Sequence, residues 1–193
     1  MSQPAELNSR DRMIEAAIEL MRASGLSGAG INEIVRESGA PKGSVYHRFP
    51  AGKTQIATEA LEVYSGRVMA FIDRALATRR RPDDKLKALF GAFARRVAEG
   101  DFRRSCAVGT VTLDLEPDME GLRAVLAAAL ADWNALIARH FDFGDRRRTK
   151  SFAGLVLTAI EGAYIRCRAE RSGTPFREAG AWLAEIARKA VQP

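Results

Sequence analysis

Ile31-Asn32-Glu33-Ile34-Val35-Arg36-Glu37-Ser38-Gly39-Ala40-Pro41-Lys42-Gly43-Ser44-Val45-Tyr46-His47-Arg48-Phe49-Pro50 is the stretch on which the reading of this chain turns. It divides into a short helix, Ile31 to Ser38, and a second over about Lys42 to Phe49. Gly39-Ala40-Pro41 breaks the two apart, and Pro41 is tolerated in the first turn of the second. Pro50-Ala51-Gly52 then ends the pattern. Two short helices joined by a tight glycine-containing turn have the outline of a helix-turn-helix, whose second helix enters a DNA major groove. Helix pairs of this outline are common, so the outline alone does not decide the matter.

Local charge sharpens it. No Asp or Glu occurs from Ser38 to Thr58, while Lys42, His47, Arg48 and Lys53 fall inside that window. A surface that meets phosphates must be free of carboxylates, which would repel the backbone. The first 55 residues hold seven Lys or Arg and six Asp or Glu, so the basic signal is concentrated on the second helix. Lys42 suits a phosphate or a guanine edge. Gly43 lets backbone and duplex approach closely. Ser44 and Tyr46 offer hydroxyls, and His47 offers a ring and a donor. Lys53 can share a phosphate with the backbone N–H groups of the helix it begins. Ile34, Val35, Val45 and Phe49 read as the apolar faces that lock the pair together.

Outward from this stretch the pattern stays helical. Asn8 is a good N-cap with Asp11 three residues on. Met13, Ile14, Ala17, Ile18 and Met21 follow on one stripe, which Gly25 is expected to stop. A long helix is predicted over Lys53 to Ala77; at 1.5 Å per residue it reaches about 37 Å, enough to connect two lobes. Asp83 and Asp84 suit the first turn of the next helix, to about Glu99. Residues 103–115 hold β-branched Val108, Thr110, Val111 and Thr112; with no partner strand in sight, a short helix is expected. Further helices are expected over 118–142 and 146–171, and a last one follows the Thr174-Pro175 start signal. The fold class is therefore all-α, about nine helices. Residues 1–52 are read as a three-helix DNA-binding lobe and residues 53–193 as a helical bundle.

The chain has 193 residues, is 47% hydrophobic and carries a formal charge of +6. That is enough to bury a core, and the positive balance is compatible with an anionic partner. Neither a leader-like apolar core near Met1 nor a ~20-residue apolar run is visible, so a cytoplasmic protein without membrane contact is expected. Cys106 and Cys167 have no metal-ligand spacing and read as buried thiols. His47 and His140 are assigned to different lobes, leaving no histidine pair for metal or acid–base work. Gly52-Lys53-Thr54 matches the end of a phosphate-binding loop, but His47 stands where its first glycine belongs and no strand precedes it. Arg79-Arg80-Arg81 and Arg146-Arg147-Arg148 read as solvated surface. No catalytic residue, metal site or cofactor is expected.

The run from Ile31 to Pro50 closely resembles the DNA-binding signature of the TetR family of transcription regulators. That signature ends in Lys-Gly-(Ser/Thr/Asn)-aliphatic-Tyr-aromatic-aromatic-Phe and is followed by a Lys that starts the fourth helix. The likeness covers about residues 9–60. It implies DNA-contact roles for Lys42, Gly43, Ser44, Tyr46, His47 and Lys53. Two positions depart from the pattern. Gly30-Ile31-Asn32 stands where members often carry a capping Ser or Thr, with Asn32 as the substitute contact, and Arg48 stands where an aromatic is common. The Gly-Ala-Pro-Lys-Gly-Ser segment, with Cys106 after a basic stretch, looks like the subgroup of the lincomycin-resistance repressor and its flavonoid-responsive relatives.

The same resemblance implies a homodimer, a pseudo-palindromic operator and a small-molecule effector that releases the DNA. Met69, Phe90, Phe93, Trp133 and Phe152 are the candidate pocket walls, with plain core as the competing reading; such a cleft suits an amphipathic or aromatic molecule. Small residues on the last two helices (Ala153, Ala159, Gly162 and Ala163; Ala179, Gly180 and Ala187) suit a four-helix dimer interface, or else close the subunit's own core. Two other readings stand beside this one: a DNA-binding activator or architectural protein without an effector, and a helical enzyme with a vestigial helix-turn-helix.

Overall fold

Asn8 begins the first helix as expected: its side-chain oxygen accepts a hydrogen bond from the Asp11 N–H at 3.0 Å. The computed structural model describes residues 8–190. Their regular elements are α1 (Ser9–Gly28), α2 (Ile31–Ser38), a 3-10 turn (Lys42–Ser44), α3 (Val45–Arg48), α4 (Gly52–Ala77), α5 (Pro82–Glu99), α6 (Ala107–Leu113), α7 (Glu120–Arg139), α8 (Arg146–Glu170) and α9 (Thr174–Ala190). There is no strand among the described residues. The expected all-α class therefore holds, and the β-branched segment is indeed a helix. Burial explains the override: Val108 and Val111 are core residues. The neighbouring hydroxyls are absorbed by helical carbonyls, Thr110 donating to Ala107 O at 3.1 Å and Thr112 to Val108 O at 2.7 Å.

Contacts group the described residues up to Tyr64 with Ala107–Leu126 as one unit, and Ser65–Cys106 with the described residues from Ala127 onward as a second. In the first unit, Met13, Ile14, Ile18 and Met21 of α1 are buried, as are Ile34, Val45, Phe49, Ile56 and Leu61. Gly25 interrupts α1 as expected: Ser24 and Gly25 leave helical geometry, Gly25 at φ 69°, and a further turn runs to Gly28. A side chain at Gly25 would strike the carboxylate of Asp114, whose Oδ2 lies 2.4 Å from the ideal Cβ position. That carboxylate accepts hydrogen bonds from the Ser27 N–H at 2.9 Å and the Ser27 hydroxyl at 2.6 Å. Thr110 adds a second tie from α6 by donating to Met21 O at 2.7 Å.

The Ser27 hydrogen bonds hold the Asp114 carboxyl below the usual carboxylate range. A carboxyl lowered on folding stabilises the fold above its unfolded pKa of about 3.9, and the contribution disappears as pH falls through the lower folded value. Asp114→Ala should cost about 1–2 kcal/mol at neutral pH. In paired thermal melts the gap between the native chain and this variant should be full at pH 7 and shrink steadily below pH 4. A gap independent of pH would remove the ionic origin.

In the second unit, α5 and α9 pack so closely at Gly180 that a Cβ there would sit 2.5 Å from Phe90 Cβ. Phe93 lies parallel to Phe176 at 5.4 Å and edge-on to Phe71 at 4.9 Å and Tyr164 at 5.8 Å. A separate cluster joins Phe141, Phe143 and Phe152. The indole N–H of Trp133 donates to Ser65 Oγ at 2.9 Å. The small residues expected at a subunit interface are largely used inside the chain: Ala153, Ala163 and Ala187 are buried, and Gly180 closes on α5. The apolar side chains left uncovered on α8 and α9 are large ones, Leu155, Ile165, Trp182 and Ile186.

Candidate nucleic-acid interface

The turn between α2 and α3 is built by short polar contacts. Gly39 takes the left-handed conformation at φ 62° that ends α2, a geometry glycine adopts without a Cβ penalty. The Ser38 hydroxyl donates to Val35 O and accepts from the Ala40 N–H at 3.3 Å. Pro41 then leads into the 3-10 turn, where the Ser44 N–H and hydroxyl both donate to Pro41 O, at 2.9 and 2.7 Å. The segment predicted as one helix over Lys42–Phe49 is thus a 3-10 turn followed by the four-residue α3. Phe49, its C-cap, has left helical geometry, with φ -134° and ψ 79°.

Val45 and Phe49, four apart, are fully buried and fix the inner face of this segment. The guanidinium of Arg10 covers the Phe49 ring at 5.1 Å and pairs with Glu59. Gln55 donates to the other oxygen of Glu59 at 3.0 Å. The carboxylate that ends the acid-free window is therefore already engaged. Arg12 donates to Ser38 O at 3.0 Å, which ties α1 to the turn.

With the inner face filled, the outer face carries the candidate residues. Lys42, Gly43, Tyr46, His47 and Arg48 are exposed, Ser44 and Lys53 are half-buried, and Asn32 is exposed in the first turn of α2. Tyr46 is 63% exposed, far from the burial expected of a packing tyrosine. No hydrogen bond or ion pair to a described residue occupies Lys42, Tyr46, His47 or Arg48. The charge of Lys53 is felt at the Asp114 carboxylate. Gly30 caps α2 without a side-chain hydrogen bond, so the departure read at Gly30-Ile31-Asn32 is a real loss of a cap. One contributor had been read only as a helix breaker. Gly52 has φ 61°, and a Cβ there would lie 3.4 Å from Tyr46 Cε1. The left-handed φ is what favours glycine here, and the Tyr46 ring lies within ordinary contact distance of it. Pro-Ala-Gly as a breaker carries no signal of that contact.

The five candidate pocket walls are not brought together. Phe90 and Phe93 belong to the aromatic core, Trp133 is buried, and Met69 is half-buried on α4. Phe152 sits in the other aromatic cluster, at the edge of a small pocket with Phe143 and Ile186. A groove of about 960 Å³ runs instead between α7 and α8, lined by none of the five.

A short helix pair with an inward apolar face, whose second member carries an outward basic face without a carboxylate, in an all-helical chain, defines a helix-turn-helix DNA-binding protein. Comparison with known proteins narrows this. Residues 13–60 match the model of the bacterial regulatory proteins of the tetR family. Residues 82–182 match that of the C-terminal domain of LmrA/YxaF-like transcriptional regulators. An HTH-type transcriptional regulator of Mycobacterium tuberculosis is 33% identical over 174 residues, 86% of this chain and 88% of the relative. LmrA of Bacillus subtilis is 25% identical over 94% of this chain and 98% of its own. In fold, the chain is similar to the TetR-family regulator CifR in complex with 26-bp operator DNA, with a TM-score of 0.78, 18% identity, and coverage of 95% of this chain and 98% of that one.

The chain belongs to the TetR family and is a DNA-binding transcriptional regulator of the LmrA/YxaF-like type. Membership in a family of regulators answers the enzyme alternative.

Proposed function

We propose that this regulator is a homodimeric repressor that holds a pseudo-palindromic operator through Asn32, Lys42, Gly43, Ser44, Tyr46, His47, Arg48 and Lys53, and that a small amphipathic or aromatic effector releases it. The observation that carries the DNA contact is the uncovered face of Lys42, Tyr46, His47 and Arg48, which has no carboxylate within its sequence window and whose side chains have no hydrogen-bond or ion-pair partner among the described residues. The dimer is supported by Leu155, Ile165, Trp182 and Ile186, large apolar side chains on α8 and α9 that are left exposed among the described residues. A patch of this kind marks an association surface. Two copies related by a two-fold axis would read half-sites roughly 34 Å apart. Release requires that the effector bind the DNA-incompatible conformation more tightly, with a coupling of about 1–3 kcal/mol typical.

Selection of genomic fragments bound by the purified protein, followed by a screen for compounds that release them, tests this reading. A two-fold symmetric motif and at least one releasing compound are expected. Recovered fragments without symmetry would remove the paired recognition helices. A symmetric motif that no metabolite fraction releases would favour the effector-free regulator.

A further inference from the structure

We propose that the groove between α7 and α8 is a binding site for an anionic amphiphile, and that the effector belongs to this class; the second clause rests on the effector-released reading above. The groove holds about 960 Å³, within the range of small-molecule sites. Its floor is apolar, with Leu130 and Ala135 from α7 and Leu157 from α8. At one end stand three cations, Arg139, Arg146 and Lys150. None of the three makes a hydrogen bond or ion pair with a described residue.

The two carboxylates at that end are already engaged. Asp142 accepts from the Gly144 N–H at 2.9 Å, and Asp145 caps α8 by accepting from the Arg148 N–H at 2.6 Å. Three cations against these two carboxylates leave the groove end with a net charge of +1. A guanidinium pair and an ammonium beside an apolar trough match a carboxylate or sulfate on a hydrocarbon body. One further atom asks for a partner. Asn134 lines the groove, and its side-chain carbonyl oxygen is buried without a hydrogen bond. Buried polar atoms are normally satisfied, so this amide has reason to turn toward a donor that enters the groove.

Calorimetric titration of the full-length protein with decanoate, and separately with decyltrimethylammonium, tests the site. Decanoate should bind at one saturable site per chain, and the cationic amphiphile should not. The double variant Arg139→Ala/Lys150→Ala should weaken decanoate at least tenfold. Ala135→Trp, which fills the trough from an exposed position and spares the cations, should do the same. Equal binding of the two headgroups, decanoate binding unmoved by both variants, or no saturable binding would overturn the site. So would binding confined to a monomeric variant, because a second subunit would then occupy the groove. These titrations contain no DNA, so their failure leaves the repressor reading standing. An operator that no compound releases would leave the groove site standing while removing the effector.

Discussion

A chain with Lys53→Ala should bind its operator about a hundredfold more weakly than the native chain, and its affinity should respond less steeply to salt. Lys53 lies in the first turn of α4, half-buried, shortly after the exposed Lys42–Arg48 face. There its ammonium and the N–H groups of the helix terminus would converge on one phosphate. A lost charge-assisted contact costs about 1.5 kcal/mol, roughly tenfold, and a two-fold symmetric complex loses it twice. Each phosphate contact contributes about 0.9 to the slope of log affinity against log salt, so the slope should fall by about 2. Tyr46→Phe keeps the ring against Gly52 and removes the hydroxyl, so it should weaken binding with the salt slope unchanged. Titration of labelled operator at four salt concentrations separates the two. If neither substitution moves the affinity, the contact assignment is wrong.

The second large effect lies at the other end of the chain. The double variant Ile165→Glu/Trp182→Glu should be monomeric and should lose operator affinity by 10²–10⁴-fold. Ile165 is 65% exposed and Trp182 is 70% exposed, so neither substitution opens the subunit core. Each places a charge where the proposed interface must be dry, and an unpaired buried charge is not tolerated. Losing the link between two half-site readers forfeits their effective concentration, which sets the size of the drop. Light scattering reads the mass, and thermal unfolding checks the fold. Affinity for an isolated half-site should be unchanged. A variant that stays dimeric would remove α8 and α9 from the interface.

The helices were legible because their apolar spacing and stop signals agree. Asn8, Gly39 and Thr174-Pro175 each mark a boundary that the structure keeps. The exposed basic face was legible for a similar reason: Val45 and Phe49 define one side, so Tyr46 and His47 must occupy the other. What sequence could not carry is contact between distant elements. Gly25 reads correctly as a helix stop, but nothing in its spacing announces the Asp114 carboxylate that sits where its side chain would be. Gly180 reads as an interface residue, but Phe90 fills its space from within the chain. Bulky residues such as Phe93 and Trp133 read equally as core or as pocket, because helical spacing records which face is apolar and not whether a neighbour fills it. The groove lining was missed because alanines and isolated cations on α7 and α8 have no motif.

The stretch from Pro41 to Lys53 is held to lie against the duplex, and photo-crosslinking reads that placement most directly. A benzophenone amino acid would replace Tyr46 in one sample and Leu113, an exposed residue of α6, in another, each irradiated on the selected operator. Attachment from position 46 to bases in both half-sites, with none from position 113, is the predicted result. Attachment from position 113 with silence from position 46 would contradict the account.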